Sequence, residues 1–206
     1  MPFASRTLAF AAAAALSFAG LAAPSSAHGA DWAIDGSHTN VGFKVKHLAV
    51  SWVRGNFSKA EGTISFDGKD LSTLKADVTI PIETVDTDNA KRDEHLRSPD
   101  FFDAANHPTM TFKSKKVTDI SKDGTEFKLV GDLTIRGTTK EVTLEVEDWT
   151  AGVVDPWGNT KAGGTATTTI NRFDFGLEWN NLLETGGLVV GEDVKIELEL
   201  ELNKKK

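Results

Sequence analysis

The stretch "VKIELELEL", residues 194–202, sets Val194, Ile196, Leu198, Leu200 and Leu202 against Lys195, Glu197, Glu199 and Glu201. Apolar and charged residues alternate without a break. A period of two is the side-chain period of a strand; on a helix these leucines would be scattered around the surface. One face is dry and the other meets water. That suits an antiparallel sheet, since parallel strands are usually buried on both faces.

The same alternation recurs toward the N-terminus. "VGFKVKH" places Val41, Phe43, Val45 and His47 on one face and Gly42, Lys44 and Lys46 on the other. "TISF" aligns Ile64 with Phe66, "VTIPI" aligns Val78, Ile80 and Ile82, and "TMTFK" aligns Met110 with Phe112. "FKLVGDLTI" sets Phe127, Leu129, Leu133 and Ile135 in phase, and "EVTLEVE" does so for Val142, Leu144 and Val146. "TATTTI" is a weaker, Thr-rich strand whose parity runs Ala166, Thr168, Ile170 and on to Arg172. With "VKIELELEL" these make eight strands, and "DWAID" at 31–35 is a short ninth candidate. Asp67-Gly68 and Asp123-Gly124 are hairpin-turn signals, and "RGTTK" at 136–140 reads as a tight connection. Short links between successive strands give an antiparallel meander. Eight such strands stack as a sandwich or close into a barrel, and closure removes the exposed edges. A barrel of that size is filled by its own side chains or holds one small ligand. The expectation is an all-β chain: one eight-stranded antiparallel barrel with a short helical excursion near residues 86–103.

That excursion contains "RDEHLRSPDFFD", residues 92–103. Asp86, Thr87 and Asp88 are helix N-cap types, and Ala90 to Arg97 tolerate a helix. Asp93 and Arg97 stand at i,i+4 with the acid first, the favourable order. Ser98-Pro99 stops one helix and starts a further turn. Capping and ion pairing account for these residues without chemistry, so scaffold is the expected role. Phe101 and Phe102 are expected to cover the barrel rim or line its mouth.

Arg6 is the only charged side chain before Asp31, Leu8 to Ala23 is almost entirely Ala, Leu and Phe, and Ser25-Ser26-Ala27 follows Pro24. A basic start, an apolar centre and a small-residue exit describe a secretory signal peptide over residues 1–27, leaving residues 28–206 as the barrel domain. The run is shorter than the ~20 residues of a membrane span, so none is expected in the mature chain. The expected location is outside the cytoplasm, in the periplasm or secreted. The chain has no cysteine. Disulfides, thiol catalysis and a lipoprotein anchor are therefore not expected, and the core alone must hold the fold. A net charge of −7, more acidic by one once Arg6 is removed, argues against nucleic acid as a partner.

Catalytic signatures are missing: there is no Gly-x-Ser-x-Gly elbow and no glycine-rich phosphate loop. His38, His47, His95 and His107 show no metal-ligand spacing. The reading is therefore no enzyme, no cofactor and no metal site. His47, in phase with Val41, Phe43 and Val45, is expected to hydrogen-bond at the barrel end or to contact a ligand head group. Arg172 is expected to form an internal ion pair or to meet a phosphate or carboxylate.

Several blocks together resemble the YceI-like proteins, a bacterial group with a lipocalin-like barrel: "WAIDGSHTNVGFKVKHL" at 32–48, "RDEHLRSPDFFD", "HPTMTFKS" at 107–114, "GDLTIRGTTKEVTL" at 131–144 and "NRFDFGL" at 171–177. The resemblance implies an elongated barrel around an apolar tunnel, a polyisoprenoid, quinone or other long-chain lipid as ligand, and a homodimer. The Gly-x-Trp of true lipocalins is absent, since Asp31 precedes Trp32. On this reading Val41, Phe43, Val45, Ile64, Phe66, Val78, Ile80, Ile82, Phe101, Phe102, Met110, Phe112, Leu133, Ile135, Val142, Leu144, Ile170, Ile196 and Leu198 line the tunnel. A barrel filled by its own side chains, acting as a structural or stress-related interaction module, is one alternative. A lipid hydrolase is another.

Overall fold

The computed structural model describes residue 1, residues 30–181 and residues 188–205. All but the first residue of the expected signal peptide lie outside the described residues. Among those described, no helix is long and apolar enough to cross a membrane.

Eleven strands form one antiparallel sheet: β1 (Ala30–Ile34), β2 (Asn40–His47), β3 (Ser51–Phe57), β4 (Glu61–Phe66), β5 (Lys75–Pro81), β6 (Val85–Asp86), β7 (Thr109–Thr118), β8 (Phe127–Ile135), β9 (Thr138–Val154), β10 (Thr160–Asn171) and β11 (Val190–Lys204). The sheet closes through β1, which pairs with both β4 and β11. β1 and β2 lie end to end along β11, and β4 and β3 lie end to end beside them. β5 and β6 continue the pattern against β4 and β3. The result is a closed eight-stranded antiparallel barrel in which three positions are each shared by two short strands.

The helix α1 spans Ala90–Arg97, and its N-cap is Asn89, whose Oδ1 accepts from the Arg92 amide at 3.1 Å. The expected Asp93–Arg97 pair does not form. Asp93 is buried and its Oδ1 accepts from the Thr87 amide (3.0 Å) and hydroxyl (2.5 Å). Local backbone and hydroxyl donors satisfy this buried carboxylate. Ser98 ends the helix and then anchors the next turn, its carbonyl accepting from Phe101 and Asp103.

One turn reading is borne out and another changes. Arg136 and Gly137 form a two-residue hairpin with both φ positive (49° and 75°), as a tight turn of this kind requires. Asp67-Gly68 instead opens a longer link between β4 and β5, which holds a 3-10 turn at Leu71–Thr73.

One end of the barrel is closed by aromatic rings. Trp32 stacks on Phe66 (centroids 5.0 Å apart), and Trp149 packs edge-on against Phe66 (5.7 Å) and Phe127 (5.6 Å). At the other end lie α1, the β2–β3 hairpin and a 3-10 turn at Arg172–Phe175.

Candidate functional site

The interior is hollow. A wide chamber of about 340 Å³ occupies the α1 end, and a narrow chamber of about 130 Å³ lies toward the aromatic end. Met110, Ile135 and Ile196 belong to both walls, so the two spaces meet at these side chains.

The narrow chamber is lined only by carbon-rich side chains. They include Val41, Ile64, Val78, Ile80, Phe112 and Leu133, with Val142, Leu144 and Leu198 completing the candidates found there. β10 contributes Ala166, a small inward residue on a strand of glycines, alanines and threonines. Small side chains at inward positions leave space that leucines would fill, which is why the Thr-rich strand gave the weakest signal yet shapes the cavity.

The wide chamber holds Phe43, Val45, Phe101, Phe102 and Ile170 among the expected wall residues, together with His47 and Arg172. Gly55 makes room for Phe43: a Cβ there would stand 2.5 Å from the ring's Cζ. Helix α1 contributes Arg92, His95 and Leu96, so this segment is wall as well as scaffold. His95 Nε2 lies 2.9 Å from Asp100 Oδ2, and its ring meets Phe101 and Trp179 edge-on at 5.0 and 4.9 Å. Arg92 is held by Thr87, with Nε donating to the hydroxyl (2.8 Å) and Nη2 to the carbonyl (2.6 Å).

Two expected wall residues line neither chamber. Phe66 is 1 % exposed and sits inside the aromatic closure. Ile82 is also 1 % exposed, because the strand stops at Pro81 and Ile82 begins a 3-10 turn whose amide donates to Pro108. Strand parity fails where the strand has ended.

Arg172 corrects another expectation. It is 4 % exposed, and among the described residues no carboxylate forms an ion pair with it. Backbone carbonyls hold it instead. Nε donates to Gly191 (2.9 Å), Nη1 to Leu177 and Trp179 (2.9 Å to the latter), and Nη2 to Val190 (3.2 Å). Burial lowers its pKa from the ordinary value, partly offset by Glu192. Sequence reasoning missed Lys46, Val53, Phe57, Leu177, Trp179 and Val190 as wall residues. Most lie in β3 or beyond the last turn of β10, where alternation is interrupted.

Among the described residues, the histidines do not converge on one site. His47 and His95 line the wide chamber, while His38 stands on the outer β1–β2 corner with Asp35 and Glu201. The Lys161 ammonium occupies the cation position of that corner, 3.0 Å from Asp35 and 2.7 Å from Glu201.

A closed antiparallel barrel around an apolar cavity places the molecule in the lipocalin-like class of β-barrels. The chain belongs to the YceI-like family, whose domain model matches residues 32–202. A UPF0312 protein of Staphylococcus aureus is 40% identical over 84% of this chain and 97% of its own length. One of Vibrio parahaemolyticus is 38% identical over 88% of this chain and 90% of its own. The crystal structure of a Campylobacter jejuni YCEI protein matches with a TM-score of 0.67 at 36% identity, covering 84% of this chain and 96% of that one. A polyisoprenoid binding domain from Saccharophagus degradans, implicated in plant cell wall breakdown, shares the fold at 15% identity. Its TM-score is 0.59, over 84% of this chain and 98% of that one.

Proposed function

We propose that this protein is an exported carrier that sequesters one long apolar ligand, a polyisoprenoid or related lipid, inside the barrel. The observation that carries the reading is the pair of adjoining chambers, entirely apolar at one end and polar only at the other. A chain laid through both would gain ~0.8 kcal/mol per buried CH₂, less the cost of immobilising it. The preference for a polyisoprenoid rests on family resemblance and on the name of one fold neighbour. Binding by burial needs no catalytic group and no cofactor.

The tunnel wall comprises the apolar residues placed in the two chambers, with His47 and Arg172 at the head-group end. The cationic or imidazole side chains of the wide chamber are His47, Arg92, His95 and Arg172, while Lys46 borders it with its ammonium outside, over Trp52, and no Asp or Glu joins them among the described residues. A guanidinium has five N–H donors, and carbonyls take four of those on Arg172, leaving one on Nη2. A head group that accepts hydrogen bonds suits such a wall. The test is mass spectrometry of an organic extract, beside titration of delipidated protein with a fluorescent prenyl probe. A stoichiometric lipid and saturable binding are expected; a clean extract from several hosts with no probe binding would mean a self-filled barrel.

A further inference from the structure

The β2–β3 hairpin ends in Leu48-Ala49-Val50, beside the wide chamber. Val50 is 81 % exposed and Leu48 37 %. Leu48 and Ala49 both adopt left-handed φ (54° and 57°), a region where turns favour Asn or Gly. Two apolar residues are thus kept in a disfavoured conformation and presented to solvent.

The outer face of the same strands is basic. Lys46 stands opposite Trp52, Lys44 opposite Arg54, and Lys195 of β11 opposite Lys44. Like charges facing each other across antiparallel strands are destabilising, so this strip is retained against the stability of the sheet. The Trp52 ring gathers three ammonium groups: Lys46 at 4.5 Å, Lys195 at 5.5 Å and Lys44 at 5.8 Å. Glu197 pairs with Lys44, and the exposed Asp193 lies in phase with Lys195 on β11, so Lys44, Lys46, Arg54 and Lys195 exceed the strip's two acids by two charges. Glu192, in the adjoining bulge, accepts from Asn171 on the β10 side. The chain as a whole is acidic, at −7, so a local basic strip would orient it in a negative field.

An apolar tip, an indole and a ring of lysines together match the chemistry of a bilayer interface: acyl boundary, head-group layer and anionic surface. Phosphates alone would leave Leu48 and Val50 without a complement. We propose that this hairpin and strip dock the barrel onto an anionic lipid bilayer, with the wide chamber held against the membrane for ligand exchange. The proposal rests on the carrier reading, because the docked edge adjoins Lys46 and His47 of the chamber wall.

The experiment is co-sedimentation of the protein with vesicles of phosphatidylcholine alone, or of phosphatidylcholine mixed with phosphatidylglycerol, at low and high salt. Wild type is expected to pellet with the anionic vesicles only, and less so at high salt. Arg54→Gln and Lys195→Gln, both on exposed residues outside the chamber walls, should each weaken partition about fivefold, the factor that ~1 kcal/mol per surface charge represents. Val50→Asp should weaken it at least as much. Trp157→Ser, on the 83 % exposed tip at the far end of the barrel, should leave it unchanged. No association of wild type with anionic vesicles would overturn the proposal. So would loss through Trp157→Ser while Val50→Asp binds normally. Probe titration without vesicles judges the carrier reading separately: normal probe binding without vesicle association defeats docking alone, and absent probe binding defeats the carrier.

Discussion

Val142 is the residue at which a hollow barrel and a filled one behave most differently. It faces the narrow chamber from β9, in register with Gly131 of β8. In a packed interior, Val142→Trp would cost roughly 1–3 kcal/mol or more through overpacking. Here the indole has unoccupied volume to enter. Delipidated wild type and variant should melt within a few degrees of each other, while probe affinity falls at least tenfold. A collapsed melt would show that the chamber has no room. Asp35 offers a test of another kind. Hydrogen bonds from Ser37 (2.6 Å), Lys161 (3.0 Å) and Asn203 (3.1 Å) hold its carboxyl well below the usual carboxylate range. A group depressed on folding stabilises the native state above its unfolded pKa, about 3.9, and that contribution is lost as the pH falls below it toward the folded value. Between pH about 4 and about 2, the urea midpoint of wild type should therefore drop more steeply than that of Asp35→Asn.

At the scale of elements, Arg172 joins the end of β10 to the start of β11 by donating to four backbone carbonyls. Arg172→Lys keeps the charge but cannot reproduce a planar set of five donors. Leaving two of these carbonyls without partners should cost about 2–6 kcal/mol, at ~1–3 kcal/mol for each buried orphan, measured by urea denaturation. A variant as stable as wild type would show that the carbonyls find other donors. The long strands were legible because β8, β9 and β11 alternate over many residues, and their inward parity points to Leu133, Ile135, Val142, Leu144, Ile196 and Leu198 of the narrow chamber. β3 was not, because its inward face includes Gly55, where a ring from β2 takes the space, and its tryptophan faces outward. β6, with two residues, has no period to detect. Trp179 follows an interruption of the strand pattern, so the meeting of its ring with His95 depends on the barrel's closure, which spacing along the chain does not encode. Asp93 escaped for a local reason: its partner is Thr87 in the turn before the helix, where capping was read from residue type alone.

The whole molecule surrounds a void. Apolar cavities of this kind stay dry, so the narrow chamber, about 130 Å³ and lined wholly by apolar side chains, is missing mass where protein interiors are ordinarily close-packed. Such space disappears when the chain unfolds and water reaches every side chain, so compression favours the unfolded state in proportion to it. The empty barrel should unfold at a lower hydrostatic pressure than the barrel loaded with a prenyl chain. Val142→Trp, by placing an indole in the gap, should raise the midpoint of the empty protein toward that of the loaded one. Tryptophan fluorescence in a high-pressure cell would follow all three, and equal midpoints would mean that nothing compressible is enclosed. The hollow that lets the barrel accept a long molecule is also what should make it soft under pressure until that molecule arrives.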